Sequence, residues 1–342
     1  MSVGIIANPA SGKDIRRLVA HATVFDNNEK ANLIRRILLG LDSLGVRRVW
    51  FMPDYFGFYQ RVLDSLAGRC RLALEARLLD MKINASQDDS RRAAEMMAAA
   101  GVSCIITLGG DGTNRVVAKG AGNIPLLPVS TGTNNVFPVM VEGTVAGLAA
   151  GLLATGAVEP EEALQRTKML VIYINGRPAD IALIDAVVLA DRFTGSRAVW
   201  DASKIRQIAA TRGSTACIGI ASVVGGLRHI GPAEPCGMHV IVGSPTGDAA
   251  VSVRAAIGPG LIKRVPVVAY HLLQPGQRIQ VLESPCVIAL DGERELRINA
   301  GDSAEIELSM EGPWVVDIDR TLAAAAARGV FREHRERPAG NK

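Results

Sequence analysis

Apolar positions in the first half of the chain fall into two patterns, short continuous runs and longer stretches with helical spacing. Val3–Ala7 is a short apolar run stopped by Asn8-Pro9-Ala10-Ser11-Gly12, the pattern of a buried strand entering a turn. Leu33, Ile34, Ile37, Leu38, Leu41 and Leu44 predict a helix, with Asn27 or Asn28 placed to cap it and Gly45 to end it. Arg48–Met52 then reads as a strand, Phe56–Leu66 as a helix, Arg71–Leu79 as a strand and Asp88–Ala100 as a helix ended by Gly101. Val102–Leu108 is the clearest strand and runs straight into Gly109-Gly110-Asp111-Gly112-Thr113. A helix over Asn114–Ala121, a strand over Pro125–Val129 and a helix over Val141–Thr155 follow. Such alternation predicts an α/β domain whose parallel sheet is covered by helices on both faces. Ligands bind at the carboxyl ends of strands in such sheets, and the glycine turn lies at one of those ends.

The pattern changes near residue 160. Met169–Ile174, Ile181–Leu189, Ala216–Val223, Met238–Val242, Val265–Leu272, Arg278–Leu282, Cys286–Leu290 and Ala304–Met310 read as short strands. Asn175-Gly176, Pro275-Gly276 and Asp291-Gly292 mark turns between several of them. The expected organisation is an α/β domain over 1–158, a β-rich, β-sandwich-like domain over 159–318, and a C-terminal helix (Leu322–Val330) with a loose tail over 319–342.

Composition narrows the function classes. The chain has 342 residues and is 48% hydrophobic and 21% charged, enough to bury a core. Its net charge of +4 is spread over scattered pairs such as Arg16-Arg17 and Arg91-Arg92, which argues against a nucleic-acid stripe. Five cysteines without a CxxC pattern fit a reducing compartment, and no signal-peptide pattern opens the chain, so the expected location is cytoplasmic. The apolar stretch Gly143–Val158 is shorter than the ~20 residues a membrane span needs. Its Gly143, Gly147 and Gly151 share one helix face, which suits a helix pressed closely on a neighbouring backbone.

The glycine turn carries the chemistry. At a strand-to-helix turn, backbone N–H groups and the positive helix end favour an anion, and glycines permit positive φ and close approach of a phosphate. A carboxylate at Asp111 is out of place beside phosphate unless it holds Mg²⁺ or receives a proton from an attacking hydroxyl. The alternative is a tight turn in which Asp111 caps the helix. A Walker loop is excluded, because Gly12-Lys13 is followed by Asp14 and lacks the upstream glycine, and no GxGxxG follows the first strand. His229, Cys236 and His239 are zinc-ligand types, but their spacing matches no zinc pattern and Pro232 and Pro235 mark a plain loop.

Gly109–Thr113 resembles the signature shared by NAD kinases, diacylglycerol kinases and sphingosine kinases. Asn8–Gly12 and Ser130-Thr131-Gly132-Thr133-Asn134-Asn135 resemble motifs of the lipid-kinase branch. Thr211-Arg212-Gly213-Ser214-Thr215-Ala216 with Gly225-Gly226 resembles the nucleotide-binding segment of NAD kinases, and Asp291-Gly292-Glu293 a late element of both branches. The mixture, spanning about residues 3 to 320, is most similar to the acetoin catabolism protein X family, described as NAD-kinase-like.

The resemblance implies ATP-dependent phosphoryl transfer to a hydroxyl of a nucleotide-like or small acceptor, in a cleft between the domains. Asp111 would be the catalytic carboxylate, near Mg²⁺ held through ATP. Asn8, Gly109, Gly110, Gly112, Thr113, Thr133, Asn134, Asp185, Gly213, Ser214, Thr215 and Ala216 would bind nucleotide and phosphate, and Asp291 and Glu293 are candidates for a second carboxylate. NAD(H) stays open as ligand or acceptor. Asp185 stands where NAD kinases carry an acid, but Ile184 replaces the asparagine that grips a ribose, and Asn135 replaces the aspartate usual in lipid kinases. Arg115 is placed either to reach a phosphate or to lie on the surface. Two other readings stay open: a nucleotide- or NAD-binding regulatory protein without turnover, and a lipid kinase. A homodimer is expected by analogy.

Overall fold

The computed structural model describes residues 1–11, 25–68, 70–132, 134–191, 202–243 and 249–332. In chain order the first domain runs β1 (Ser2–Ala7), α1 (Asn27–Ser43), β2 (Arg48–Phe51), α2 (Phe58–Leu66), β3 (Glu75–Leu78), α3 (Gln87–Ala99), β4 (Ile105–Gly109), α4 (Asp111–Ala121), β5 (Leu126–Ser130) and α5 (Gly143–Thr155). A short helix α6 (Pro160–Ala163) and β6 (Leu164–Arg166) lead to the β-rich part. That part comprises β7 (Met169–Ile174), β8 (Arg177–Ala182), β9 (Asp185–Leu189), β10 (Ile205–Ala210), α7 (Ala221–Leu227), β11 (Gly237–Val242), β12 (Val251–Gly258), β13 (Leu261–Leu273), β14 (Arg278–Gln280), β15 (Cys286–Leu290), β16 (Glu293–Ile298) and β17 (Ala304–Ser309). The chain closes with β18 (Trp314–Val316) and α8 (Ile318–Ala327).

The first sheet has the order β3-β2-β1-β4-β5-β18-β6 and is parallel except at β6. Alternation along β1 explains its two covered faces: Val3, Ile5 and Ala7 join a core with Ile34, Ile37 and Ala146, while Ile6 joins one with Met97 and Val117. The strands β6 and β18 lie beyond residue 158 yet extend this sheet, with Val315 paired to Leu126. In the β-rich part the antiparallel sheet β12-β13-β11-β10-β9-β15-β16 faces the four-stranded sheet β14-β17-β7-β8. Ala186 and Val188 of β9 point into the core shared with Ile172 and Ile306, and Val187 and Leu189 point to the opposite core with Val223 and Val240.

Several expectations change. The helix over 27–43 is capped by Asp26, whose Oδ1 accepts from Glu29 N at 2.8 Å, not by Asn27 or Asn28. The strand expected over Ile181–Leu189 is two strands, because Leu183 and Ile184 give their backbone groups to side chains of Thr211 and Asp291 instead of to a ladder. Ala216–Val223 is not a strand: Gly219 takes φ +113° and the chain winds into α7. Strands β8, β10, β12, β16 and β18 carry too few contiguous apolar residues to show in the pattern. The turns at Asn175-Gly176 and Asp291-Gly292 are two-residue hairpin loops with positive φ at both residues.

The glycine face of α5 does press on a neighbouring backbone. A Cβ at Gly143 would sit 2.6 Å from Leu33 O, one at Gly40 would sit 2.7 Å from Thr144 O, and one at Gly147 would overlap Ile37 O. Among the described residues no helix is long and apolar enough to cross a membrane. Gly147→Ala is therefore expected to destabilise the protein by about 1–3 kcal/mol, as overpacking does. A lower urea midpoint at unchanged slope would show it; an unchanged midpoint would mean that α1 and α5 part at little cost.

Candidate functional site

The glycine turn joins β4 to α4, and its geometry differs from a loop chosen for unusual φ. Gly109, Gly110 and Gly112 all lie outside the positive-φ region, so the expectation of left-handed backbone there does not hold. Their lack of side chains instead lets other residues come close. A Cβ at Gly109 would stand 2.7 Å from Thr113 Oγ1, one at Gly110 2.9 Å from Asn135 Oδ1 and one at Gly112 3.0 Å from Glu293 Oε1. Gly110 is the N-cap of α4, and Asp111 is the first residue inside the helix. Asp111 Oδ1 accepts from the backbone N–H of Val136 (3.0 Å) and Phe137 (2.8 Å), which ties the turn to the loop after β5.

Neighbouring loops are bound to this turn by side chains. Asn8 donates from Nδ2 to Thr113 Oγ1 at 3.0 Å while its Oδ1 accepts from Ala10 N. Lys30, fully buried, donates to the carbonyls of Asn8 (3.0 Å) and Ser11 (2.7 Å), and the Ser11 and Thr131 hydroxyls lie 2.9 Å apart. Nothing in the periodic pattern of α1 marked Lys30, because one lysine among helix residues looks like a solvated position. Asn114, also fully buried, closes the inner side of the turn: Thr107 Oγ1 donates to its Oδ1, and its Nδ2 donates to Gly110 O at 2.9 Å. Asn135 donates to Ser130 Oγ at 2.7 Å. Thr133 lies outside the described residues.

From the second domain, Asp185, Ile218, Gly219 and Ile220 face Asp111 and Asn134 across a cleft of about 420 Å³, its open mouth included. Thr215 and Ala216 are exposed and Gly213 is buried, so the cleft wall comes from the residues just after that motif. Gly213 is held by reciprocal bonds with Ile230 (3.1 and 2.9 Å), and Ala216 N donates to Ser214 Oγ at 3.1 Å. Ile184 packs in an apolar cluster with Phe137, Leu183 and Ala221, and so offers the cleft no polar group.

The two candidate second carboxylates separate. Asp291 accepts from the N–H groups of Leu183 (3.0 Å), Ile184 (2.7 Å) and Asp185 (3.2 Å), and is buried. Burial pushes its carboxyl upward, against the pull of Arg115 and the three amides. Glu293 stands beside Gly112 at the start of α4, held by Gln87 Nε2 at 2.8 Å. Arg115 does not lie on the surface. It is 1% exposed, 3.2 Å from Asp180 Oδ1 and 3.8 Å from Asp291 Oδ2.

Mg²⁺ bound through nucleotide phosphates needs one or two protein carboxylates. Asp111 and Asp185, both on the cleft wall, fit that requirement. Among the described residues no group of three or more His, Cys, Asp or Glu forms a metal cage. His239, considered for zinc, instead lies between Gln207 (3.1 Å) and His271 (3.3 Å).

Comparison with known proteins agrees with this architecture. Residues 3–158 match the model of the ATP-NAD kinase N-terminal domain, and residues 168–311 that of the acetoin catabolism protein X C-terminal domain. An acetoin catabolism protein X from Cupriavidus necator is 39% identical over 339 residues, 97% of this chain and 93% of that one. The first domain thus has the NAD-kinase-like architecture. The chain as a whole belongs to the acetoin catabolism protein X family. Among solved structures, yeast NADH kinase complexed with NADH is 13% identical, covering 99% of this chain and 90% of its own, with a TM-score of 0.48. An NAD kinase from Archaeoglobus fulgidus in complex with ATP is 14% identical, covering 82% and 98%, with a TM-score of 0.39.

Two outcomes follow from these contacts. Asp291→Ala leaves three backbone donors and part of the Arg115 charge unmatched, and is expected to cost about 3–5 kcal/mol of stability. Denaturant unfolding measures it, and a loss below ~1 kcal/mol would mean that the 183–185 backbone holds itself. His239 is pushed down from 6.5 to about 4, first by burial and then by His271. The unfolded chain then takes up a proton that the folded one refuses. Stability is present above 6.5 and lost as pH falls from 6.5 towards 4. His239→Gln should flatten that part of the urea-midpoint profile.

Proposed function

We propose that this protein is an ATP-dependent phosphotransferase acting on a hydroxyl of a small or nucleotide-like acceptor, with Asp111 as its catalytic carboxylate. The observation that carries this reading is the placement of Asp111. It begins α4, is oriented by the Val136 and Phe137 amides, and faces the wall formed by Asp185 and Ile218–Ile220. Mg-ATP, when bound, supplies the phosphoryl group and neutralises its charge. Asp111 orients the acceptor hydroxyl and takes its proton, and the first-turn amides of α4 with Thr113 and Asn134 hold the phosphates. Glu293 supplies a further carboxylate at the same helix end.

The environment of Ile184 supports an acceptor other than NAD gripped by its ribose, since a buried apolar side chain makes no bond to a hydroxyl. It also favours a second reading, a nucleotide-binding regulatory protein without turnover. Calorimetry with ATP and NAD(H), together with a transfer assay, separates the two: binding without transfer to any acceptor selects the regulator.

Purified protein with Mg-ATP and a panel of alcohols and dinucleotides is expected to phosphorylate at least one acceptor. Asp111→Asn should lower that rate by about 10²–10⁴-fold, the range for a lost general base. A rate within a few-fold of wild type would remove Asp111 from the mechanism.

A further inference from the structure

The buried side chains of Arg115 and Lys168 meet carboxylates and carbonyls of the fold, whereas two nitrogens of the half-buried Arg212 meet neither. Arg115 meets the Asp180 and Asp291 carboxylates. Lys168 donates to the carbonyls of Gly231 (3.0 Å), Glu234 (2.7 Å) and Cys236 (2.7 Å). Arg212, between β10 and the Gly213–Ala216 turn, has Nε and Nη2 buried, and neither makes a hydrogen bond to a described residue. Its guanidinium lies over the Phe137 ring, 5.6 Å from the centroid, and Phe137 is one of the two residues whose N–H groups hold Asp111.

Arg212 is held in this place by its neighbours. The Thr211 hydroxyl donates to Leu183 O at 2.8 Å, and Gly213 is bonded both ways to Ile230. The carboxylates of Asp111 and Asp291 and the thiol of Cys217 all act on the guanidinium, so it shares its surroundings with the proposed catalytic residue. Burial, opposed by those three groups, lowers its pKa. Dry charged donors are costly to leave unmade. A guanidinium edge presents parallel N–H groups that match the two oxygens of a carboxylate or phosphate, which a lysine cannot do.

We infer that Arg212 is a specificity-determining residue that binds an oxyanion of the ligand, a phosphate or a carboxylate, beside Asp111. The inference rests on the cleft being the ligand site, as proposed above, and it narrows the ligand's chemistry. Either the donor's phosphate chain supplies the oxyanion or the acceptor is an anionic alcohol, such as a hydroxy acid or a phosphate ester. An uncharged alcohol leaves the fork unmatched. The sequence gives this residue little prominence, since a single arginine before Gly-Ser-Thr reads as part of a turn.

The test is calorimetry on the full chain, wild type against R212Q, R212K and R212M. The probes are Mg-ATP, adenosine, inorganic pyrophosphate, glycerate and glycerol. R212M is included because Nε and Nη2 of Arg212 make no hydrogen bond to the described residues, so it is expected to fold and to melt near the wild-type temperature. An oxyanion read by Arg212 binds about ten- to a hundredfold more weakly in R212Q and R212M, with R212K only a partial rescue, while adenosine and glycerol are unaffected. Loss confined to ATP and pyrophosphate assigns the oxyanion to the donor; loss confined to glycerate assigns it to the acceptor. Wild type that binds none of the anions, or variants that bind them within twofold of wild type, overturn the inference. Anion binding that depends on Arg212 without any ATP binding supports the inference while removing the phosphotransferase reading.

Discussion

The ion network of Arg115 with Asp180 and Asp291 sets the relation between the two halves of the molecule. Helix α4 starts at Asp111, and one turn later Arg115 reaches out of the first domain into the second. Lys119, one further turn along, meets the same Asp180 at 3.0 Å. Asp291 then passes the constraint on, because its carboxylate gathers the N–H groups of Leu183, Ile184 and Asp185. Buried charges gain little net stability after desolvation, but they are directional. Here they fix the start of α4 relative to Asp185, and so the separation of Asp111 and Asp185, which line the cleft together with Asp291.

The glycine motif fits this frame through shape more than through backbone freedom. Thr113, Asn135 and Glu293 each occupy the space beside one of its glycines. An N-terminal helix turn favours a negative group, and Glu293 is one that the fold already brings to it. In the proposed reaction a phosphate at α4 would meet a carboxylate as well as amides, a setting in which a divalent cation reconciles the charges. Asp111 sits in the same setting, oriented by Val136 and Phe137 and overlooked by Arg212. In the proposed reaction the cleft is thus a balance of several carboxylates, one arginine and a helix end, and no single group defines it.

Much of this was legible in the chain. The alternation of apolar runs with 3.6-residue periodicity marked every strand and helix of the parallel sheet up to residue 158, because its central strands β1, β4 and β5 are buried on both faces. The glycine turn at the end of β4 and the turns at 175–176 and 291–292 were equally readable, since their residue types are demanded locally. The β-rich half was read less completely. Strands such as Glu293–Ile298 carry few apolar residues, and α7 replaced a predicted strand because Gly219 breaks the extended backbone.

Sequence by itself determined the fold class, the position of the glycine turn and the presence of Asp111 at its centre, because periodicity and local turn chemistry need no partner. Only the tertiary structure decided that Asp291 is spent on the 183–185 backbone, that Glu293 comes to α4, that Arg115 and Lys30 are buried, and that the fork of Arg212 is unmatched. The role of a charged side chain depends on which groups share its burial. Those groups lie far along the chain, 107 residues away in the bond from Ile184 to Asp291 and 206 in that from Gln87 to Glu293. Folding alone brings them together, so no local pattern could have named them.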